Sequence, residues 1–381
     1  MRNIILWLLI QSATALNIVS GIIVARVLEP QEFGRFATMS AALIMTTSIL
    51  NPLINELAHL VARERSINMP ALVRRTLHAA LVCSVVSLLA CLSIASSARQ
   101  ALVVALVIPV SLIAQSWATA VLTGLNHMVV LGVAQLFGAI AKVGLIMAFT
   151  TASTTWLEVS WAYIAGFVLT ALVAGFYASS IPRQTTTSWV INWDIVSGFF
   201  LLALPFSLDQ ALVQRWFPNS SGPYAALMTY AKSVMLLAAP ALTIAYSSAL
   251  RISVSSHAYL KQLRFFAALS FGIVGALWIF QPFLFPLLLG SQYGMVTDYV
   301  PIALIAIGLH VCAYSIAQLV ILRNQRWFSL ALLAPISLQT LYLWTLENPS
   351  LRALALTNVF TFAAQLAIAC IPLIHLALRR K

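Results

Sequence analysis

Twelve apolar runs, each about twenty residues or longer, follow one another along the chain with only short polar interruptions. A run of that length matches the hydrocarbon core of a bilayer, which takes about 20 helical residues, and is about twice what a membrane strand needs. In lipid every backbone N–H and C=O must be satisfied within the protein, and a long uninterrupted apolar run does this only as a helix. The runs cover residues 3–25, 36–62, 76–98, 101–124, 129–150, 158–181, 195–213, 223–250, 265–288, 299–322, 327–346 and 353–377. They predict an all-α polytopic membrane protein with about 12 transmembrane helices.

Composition closes off the soluble alternative. Only 8% of the 381 residues are charged and 61% are hydrophobic, against about 25% charged in soluble domains. Mean hydropathy is +0.96. The net charge of +12 does not indicate nucleic acid, because the basic residues are scattered through short loops rather than gathered on one face. Cys83, Cys91, Cys312 and Cys370 lie inside apolar spans without metal or redox spacing and read as small hydrophobes. The N-terminal stretch has the outline of a signal peptide, with Ala13-Thr14-Ala15 as the cleavage site. Its apolar run continues to Val24, long enough to span, so it reads as the first helix.

Lys/Arg bias sets an orientation. With the N-terminus in the cytoplasm, the inner side holds Arg2, Arg63, Arg65, Arg74, Arg75, Arg183, Arg251, Lys261, Arg264, Arg323, Arg326, Arg379, Arg380 and Lys381. The outer side holds only Arg26, Arg35, Arg99, Arg215 and Arg352, so both termini are expected to be cytoplasmic.

The chain also repeats. Adding 188 to a residue number takes Pro30 to Pro218, Gly34 to Gly222, Phe36 to Tyr224 and Ala37 to Ala225. The same offset takes Pro52 to Pro240, Arg63 to Arg251, and Ala79-Ala80-Leu81 to Ala267-Ala268-Leu269. Two six-helix lobes follow, 1–188 and 189–381, entering the membrane in the same sense as a parallel repeat. In this reading "ARVLEPQEFGRFA" (Ala25 to Ala37) is the tight outer turn of the first hairpin. Pro30 starts the turn and Gly34 lets the backbone pass closely into the next helix. "FPNSSGPYA", with Pro218 and Gly222, is its counterpart.

That stretch resembles the "AR-x-LGP-x-x-(F/Y)G-x-(F/Y)A" signature of polysaccharide transporters, the lipid-linked oligosaccharide flippases of the MOP superfamily. "PFSLDQALVQRWFPNSSGPYAALMTYAKSV" resembles the family's seventh and eighth helices, with Asp209, Gly222 and Tyr224 at its Asp, Gly and Tyr positions. "FPLLLGSQYGMVTDYVPIAL" resembles the end of its ninth helix, at Gly290 and Tyr293. Glu29 departs from the family's usual glycine. The resemblance implies two lobes that rock between inward-open and outward-open states in a bacterial inner membrane. A polyprenyl-pyrophosphate oligosaccharide would cross from the cytoplasmic to the outer leaflet, its lipid tail remaining in the bilayer. Glycan polymerases or glycosyltransferases of the same pathway are the implied protein partners. No cofactor is implied beyond proton or sodium coupling.

Ionisable groups inside spans are functional candidates by default. Lys232 shares one face of its helix with Thr229, Thr243 and Tyr246. It either holds the pyrophosphate as a compact point charge or pairs with Asp209. Lys142 is a second candidate cation, or else snorkels or pairs within its own lobe. Arg26 and Arg215, near outer helix ends, either receive the headgroup or anchor at the interface. Asp209, beside Gln210 and near Ser207 and Gln214, is either a coupling carboxylate for a proton or sodium ion or a structural partner for Arg215 or Lys232. Glu56, His59 and Arg63, with Asn55, form either an inner gate or a solvated helix end. His310 and His78 read as structural groups, and Trp117 and Trp278 as packing against neighbouring helices.

A multidrug exporter of the same superfamily is the competing transporter; it would be expected to emphasise acidic groups in the spans. A glycan polymerase, ligase or acyltransferase would need a sizeable loop or a His/Asp/Glu constellation to place donor and acceptor. The longest connections are about a dozen residues. No HExxH, GxSxG, P-loop or CxxC occurs. The reading is therefore of a non-enzyme.

Overall fold

The computed structural model describes residues 2–64, 69–91, 98–125, 127–150, 154–178, 193–249, 256–321, 326–347 and 349–378. Every regular element among these is helical, so the chain is an all-α polytopic membrane protein. It divides into two compact units, Met1–Asn192 and Trp193–Lys381.

The first unit contains α1 (Arg2–Val27), α2 (Pro30–Glu64), α3 (Met69–Cys91), α4 (Ala98–Gly124), α5 (Met128–Phe149) and α6 (Trp156–Ala178). α4 packs on α2, α3 and α6; α5 packs on α6 and α1. Leu57, Ala58 and Val61 of α2 interlock with Ala120 and Val121 of α4, with Trp117 against them. α5 and α6 approach closely at two glycines. A Cβ on Gly138 would lie 2.0 Å from Thr170 Oγ1, and one on Gly166 would lie 2.9 Å from the Gly138 carbonyl. Small residues at such a crossing let helix backbones meet where the solvent is lipid.

The second unit contains α7 (Trp193–Ala203), α8 (Pro205–Trp216), α9 (Pro218–Ala249), α10 (Ser256–Ile279) and α11 (Gln281–Leu289). A 3₁₀ segment (Ser291–Tyr299) follows, then α12 (Val300–Ile321), α13 (Arg326–Ala331), α14 (Leu333–Thr345) and α15 (Leu351–Leu378). α12 is the buried centre, packed by α9, α10 and α15. The packing order of the first unit recurs inside the second: α12 meets α9, α10 and α15 as α4 meets α2, α3 and α6, and α14 meets α15 and α8 as α5 meets α6 and α1.

Among the described residues seven helices are long and apolar enough to cross a membrane, and the bent pair α7–α8 makes an eighth. Helices α1, α3, α4 and α9 have 26, 23, 27 and 32 residues, more than the ~20 a span requires. Large apolar side chains remain uncovered, including Phe176 (82% exposed) and Phe360 (71%), as lipid-facing residues do.

Several boundaries differ from the sequence expectation. The first hairpin turns at Leu28 and Glu29, so Pro30 and Gly34 lie in the helix rather than in the turn. Pro30 is the first helical residue, where its missing N–H has no intrahelical partner to lose and its fixed φ suits the helix. Pro218 likewise opens α9, with Gly222 buried inside it. The seventh run is not one straight helix but breaks by 53° between Ala203 and Pro205. The ninth run is two helices, split at Phe280 ahead of Pro282. Gly290 ends the second of these at φ 91°, a conformation only glycine adopts without strain. The eleventh run is also divided, at Leu332. Trp278 does not pack between helices; it is 57% exposed.

Candidate functional site

The break ahead of Pro205 sets up the polar interior of the second unit. Proline has no N–H to continue the ladder, so α7 ends and α8 begins at a new angle. Two buried glutamines from other helices meet carbonyls at the bend. Gln365 of α15 donates to the Leu202 carbonyl (3.2 Å), and Gln339 of α14 reaches the Pro205 carbonyl (3.5 Å). Such substitute donors let a broken helix persist inside a membrane protein.

One turn into α8 lies Asp209, 1% exposed. Its Oδ1 accepts from the Gln210 backbone N–H (2.8 Å), and its Oδ2 accepts from the Tyr224 hydroxyl and from Asn358 Nδ2 (3.0 Å). Asn358 Oδ1 in turn accepts from Gln339 Nε2 (3.0 Å). The network thus joins α8, α9, α14 and α15. Alongside it, Gln210 donates to Ser221 (3.0 Å), which donates to Gln214 Oε1 (2.6 Å). Ser207 Oγ and Gln339 Oε1 are buried without a hydrogen-bond partner among the described residues.

Among the described residues no cation lies within 4.0 Å of Asp209. Lys232 of α9 is close enough to interact with its charge but forms no ion pair with it. The Lys232 ammonium instead sits 4.7 Å from the centre of the Phe206 ring. His310 stacks on Phe206 (5.0 Å) and packs against Phe362 (4.6 Å), with its Nδ1 3.2 Å from Gln365 Oε1. Lys232 is therefore a half-buried cation beside an aromatic cluster, a setting that favours cation–π attraction.

In the first unit Lys142 of α5 is 6% exposed. It donates to Asn17 Oδ1 of α1 and lies 4.3 Å over the Tyr163 ring. Tyr163 OH meets Ser20 Oγ at 3.2 Å, and Ser20 bonds the Asn17 carbonyl (2.7 Å). A cavity of about 270 Å³ opens beside Lys142.

The remaining candidates are dispersed. Arg26 and Arg215 are exposed in the last turns of α1 and α8. Glu56, His59 and Arg63 fall on α2, but their side chains lie outside the described residues, as do those of Thr243 and Tyr246. His78 is exposed. Sequence reading missed Asn17, Glu32, Gln339, Asn358 and Gln365. Each of the amides stands within an apolar helix, the one signal that could have found them. Glu32 does two jobs in the opening motif: it pairs with Arg35 (2.7 Å) and accepts the Trp156 backbone N–H (3.0 Å), capping α6.

No family model and no curated protein matches the chain. Solved structures do. MATE in the bent conformation aligns at a TM-score of 0.55 and 14% identity, over 99% of this chain and 93% of that one. A mutant of MATE aligns at 0.57 and 11%, over 99% and 95%. The chain has the MATE fold. A MATE in complex with MaL6 aligns at 0.50 and 14%, over 98% and 93%. At these identities the likeness to MATE is one of fold, and what crosses the membrane must be argued from the residues.

Proposed function

We propose that the protein is a membrane transporter that flips a polyprenyl-pyrophosphate-linked oligosaccharide (an O-antigen, capsule or exopolysaccharide repeat unit) by alternating access. Its place would be the bacterial cytoplasmic membrane, and its partners the polymerase or glycosyltransferases of the same pathway. One observation carries the reading: Lys232, inside a membrane helix, has no carboxylate partner among the described residues, while the nearest buried acid is held by neutral donors. A cation retained in a span without a counter-charge is costly and points to an anionic substrate. The adjoining Phe206 ring supplies an apolar face next to the charge. Lys142 is the second cation of this reading.

A cation-coupled multidrug exporter is the second reading, and Asp209 favours it. Unpartnered acceptors at Ser207 Oγ and Gln339 Oε1, in the same buried region, would suit a proton or sodium ion beside the carboxylate. Headgroup accessibility of a fluorescent lipid-linked oligosaccharide in proteoliposomes, against dye efflux in the same vesicles, separates the two.

A further inference from the structure

His310 of α12 joins the α7–α8 bend to the surroundings of Lys232. It is 1% exposed, with Gln365, Phe206 and Phe362 packed around it. Gln365 is itself buried and bridges two partners. The Leu202 carbonyl at the bend can only accept, so it takes the amide nitrogen of Gln365 (3.2 Å). That turns Oε1, which also can only accept, toward His310 Nδ1 (3.2 Å). The proton of His310 therefore sits on Nδ1. A second proton, on Nε2, would find no acceptor among the described residues and would add a charge near Lys232. The ring is thus the neutral Nδ1–H tautomer.

Neutrality matters for the next ring. His310 stacks on Phe206 with 5.0 Å between centroids and 18° between planes. The Lys232 ammonium lies 4.7 Å from the centre of that same Phe206 ring. A benzene ring attracts a cation through its negative face. A charged imidazole stacked on Phe206 would compete with the lysine for that attraction, whereas a neutral one leaves it to the lysine. Phe206 is buried and is the second residue of α8, so the bend and His310 together set where its ring stands. The ammonium needs such a seat. Its four-carbon stem is flexible, and Asp209 lies within range of its charge. An unseated Lys232 would be drawn to that carboxylate and would lose the free charge that an anion requires.

We propose that His310 is the positioning residue of the Lys232 site: braced by Gln365, it fixes the Phe206 ring on which the ammonium rests. The placement stands on these contacts alone, while its consequence for transport rests on the reading of Lys232 as the substrate's cation.

The test reads placement without transport. Reductive methylation of the full-length protein in detergent, with ¹³C-formaldehyde, labels Lys142, Lys232, Lys261 and Lys381. Lys232→Gln assigns the Lys232 methyl resonance. Ring current from Phe206 moves that resonance upfield of the exposed Lys261. Phe206→Leu abolishes the displacement, and His310→Leu loses most of it although His310 carries no charge and makes no hydrogen bond to the lysine. His310→Phe, which keeps a flat ring against Phe206, retains it and guards against misfolding of the leucine variant. A wild-type Lys232 resonance level with Lys261 overturns the proposal. So does a displacement unchanged in His310→Leu, because a histidine that only fills the core lowers the melting temperature and leaves the lysine in place. Equal loss in folded His310→Leu and His310→Phe overturns it too.

In proteoliposomes, His310→Leu raises the half-saturating content of polyprenyl-pyrophosphate oligosaccharide by roughly 2- to 30-fold, the range a cation–π contact spans, and keeps the maximal rate. A lower maximal rate at unchanged half-saturation overturns the role in substrate binding. A wild type that flips no oligosaccharide refutes the flippase reading alone, and the Lys232 resonance still decides the placement.

Discussion

Tyr224 donates its hydroxyl to Asp209 Oδ2 with both residues 1% exposed, so the start of α9 is fastened to α8 across the short turn at Phe217. Asn358 of α15 reaches the same oxygen and holds Gln339 of α14. A carboxylate in this position organises four helices through neutral donors.

Removing a donor from that network leaves a buried acceptor unpaired, at about 1–3 kcal/mol. Tyr224→Phe should fall in that range. Asn358→Leu should cost more, because it strips donors from Asp209 and the acceptor from Gln339 together. Thermal unfolding in detergent checks the order; equal stability of Asn358→Leu and wild type would contradict it.

The glycine crossing gives a sharper contrast. Gly138→Val places atoms where Thr170 and the Gly166 carbonyl already stand. Overpacking of that kind costs about 1–3 kcal/mol. A Cβ on Gly175, in the same pair of helices, meets nothing within 4 Å. Gly175→Ala should therefore be neutral or slightly stabilising, by up to about 1 kcal/mol from helix propensity. Melting temperatures of the two variants are expected to move in opposite directions, or one to fall while the other stays.

In the opening motif the cap outweighs the ion pair. Glu32 is 20% and Arg35 39% exposed, and an i,i+3 pair at such a site is worth only about 0.2–0.5 kcal/mol. Glu32 also accepts the first N–H of α6, a contact worth about 0.5–2 kcal/mol. Glu32→Ala, which removes the acceptor as well as the charge, should thus destabilise more than Arg35→Ala, and added salt should narrow the gap only slightly. Equal losses would assign the motif to the ion pair alone.

Helix existence was legible because each apolar run exceeds what a core helix needs and the bilayer admits nothing else. The interruptions were harder to read. Hydropathy continues unbroken through Leu204 and Leu332, so neither interruption leaves a trace in composition; Pro205 marked the first and Pro335, in the first turn of α14, the second. The turn was misplaced for a related reason, since Pro30 serves equally as a turn residue and as the first residue of a helix. Lys142 and Asp209 stood out as charges in greasy helices, but their partners did not. Asn17 lies 125 residues from Lys142, and Asn358 lies 149 from Asp209, and no local pattern links residues so far apart. Of the two roles open to Lys232, pairing with Asp209 had the right helices but the wrong donors. Tyr224 and Asn358 satisfy the carboxylate and leave the lysine to Phe206.

The central claim is that Lys232 carries the substrate's negative charge. Its most direct test is headgroup accessibility of a fluorescent polyprenyl-pyrophosphate oligosaccharide in proteoliposomes, comparing wild type with Lys232→Gln at matched protein and confirmed folding. Flipping by wild type and its loss in Lys232→Gln is the result predicted. Flipping by Lys232→Gln at the wild-type rate would contradict the claim, as would a wild-type protein that moves dyes but no oligosaccharide lipid.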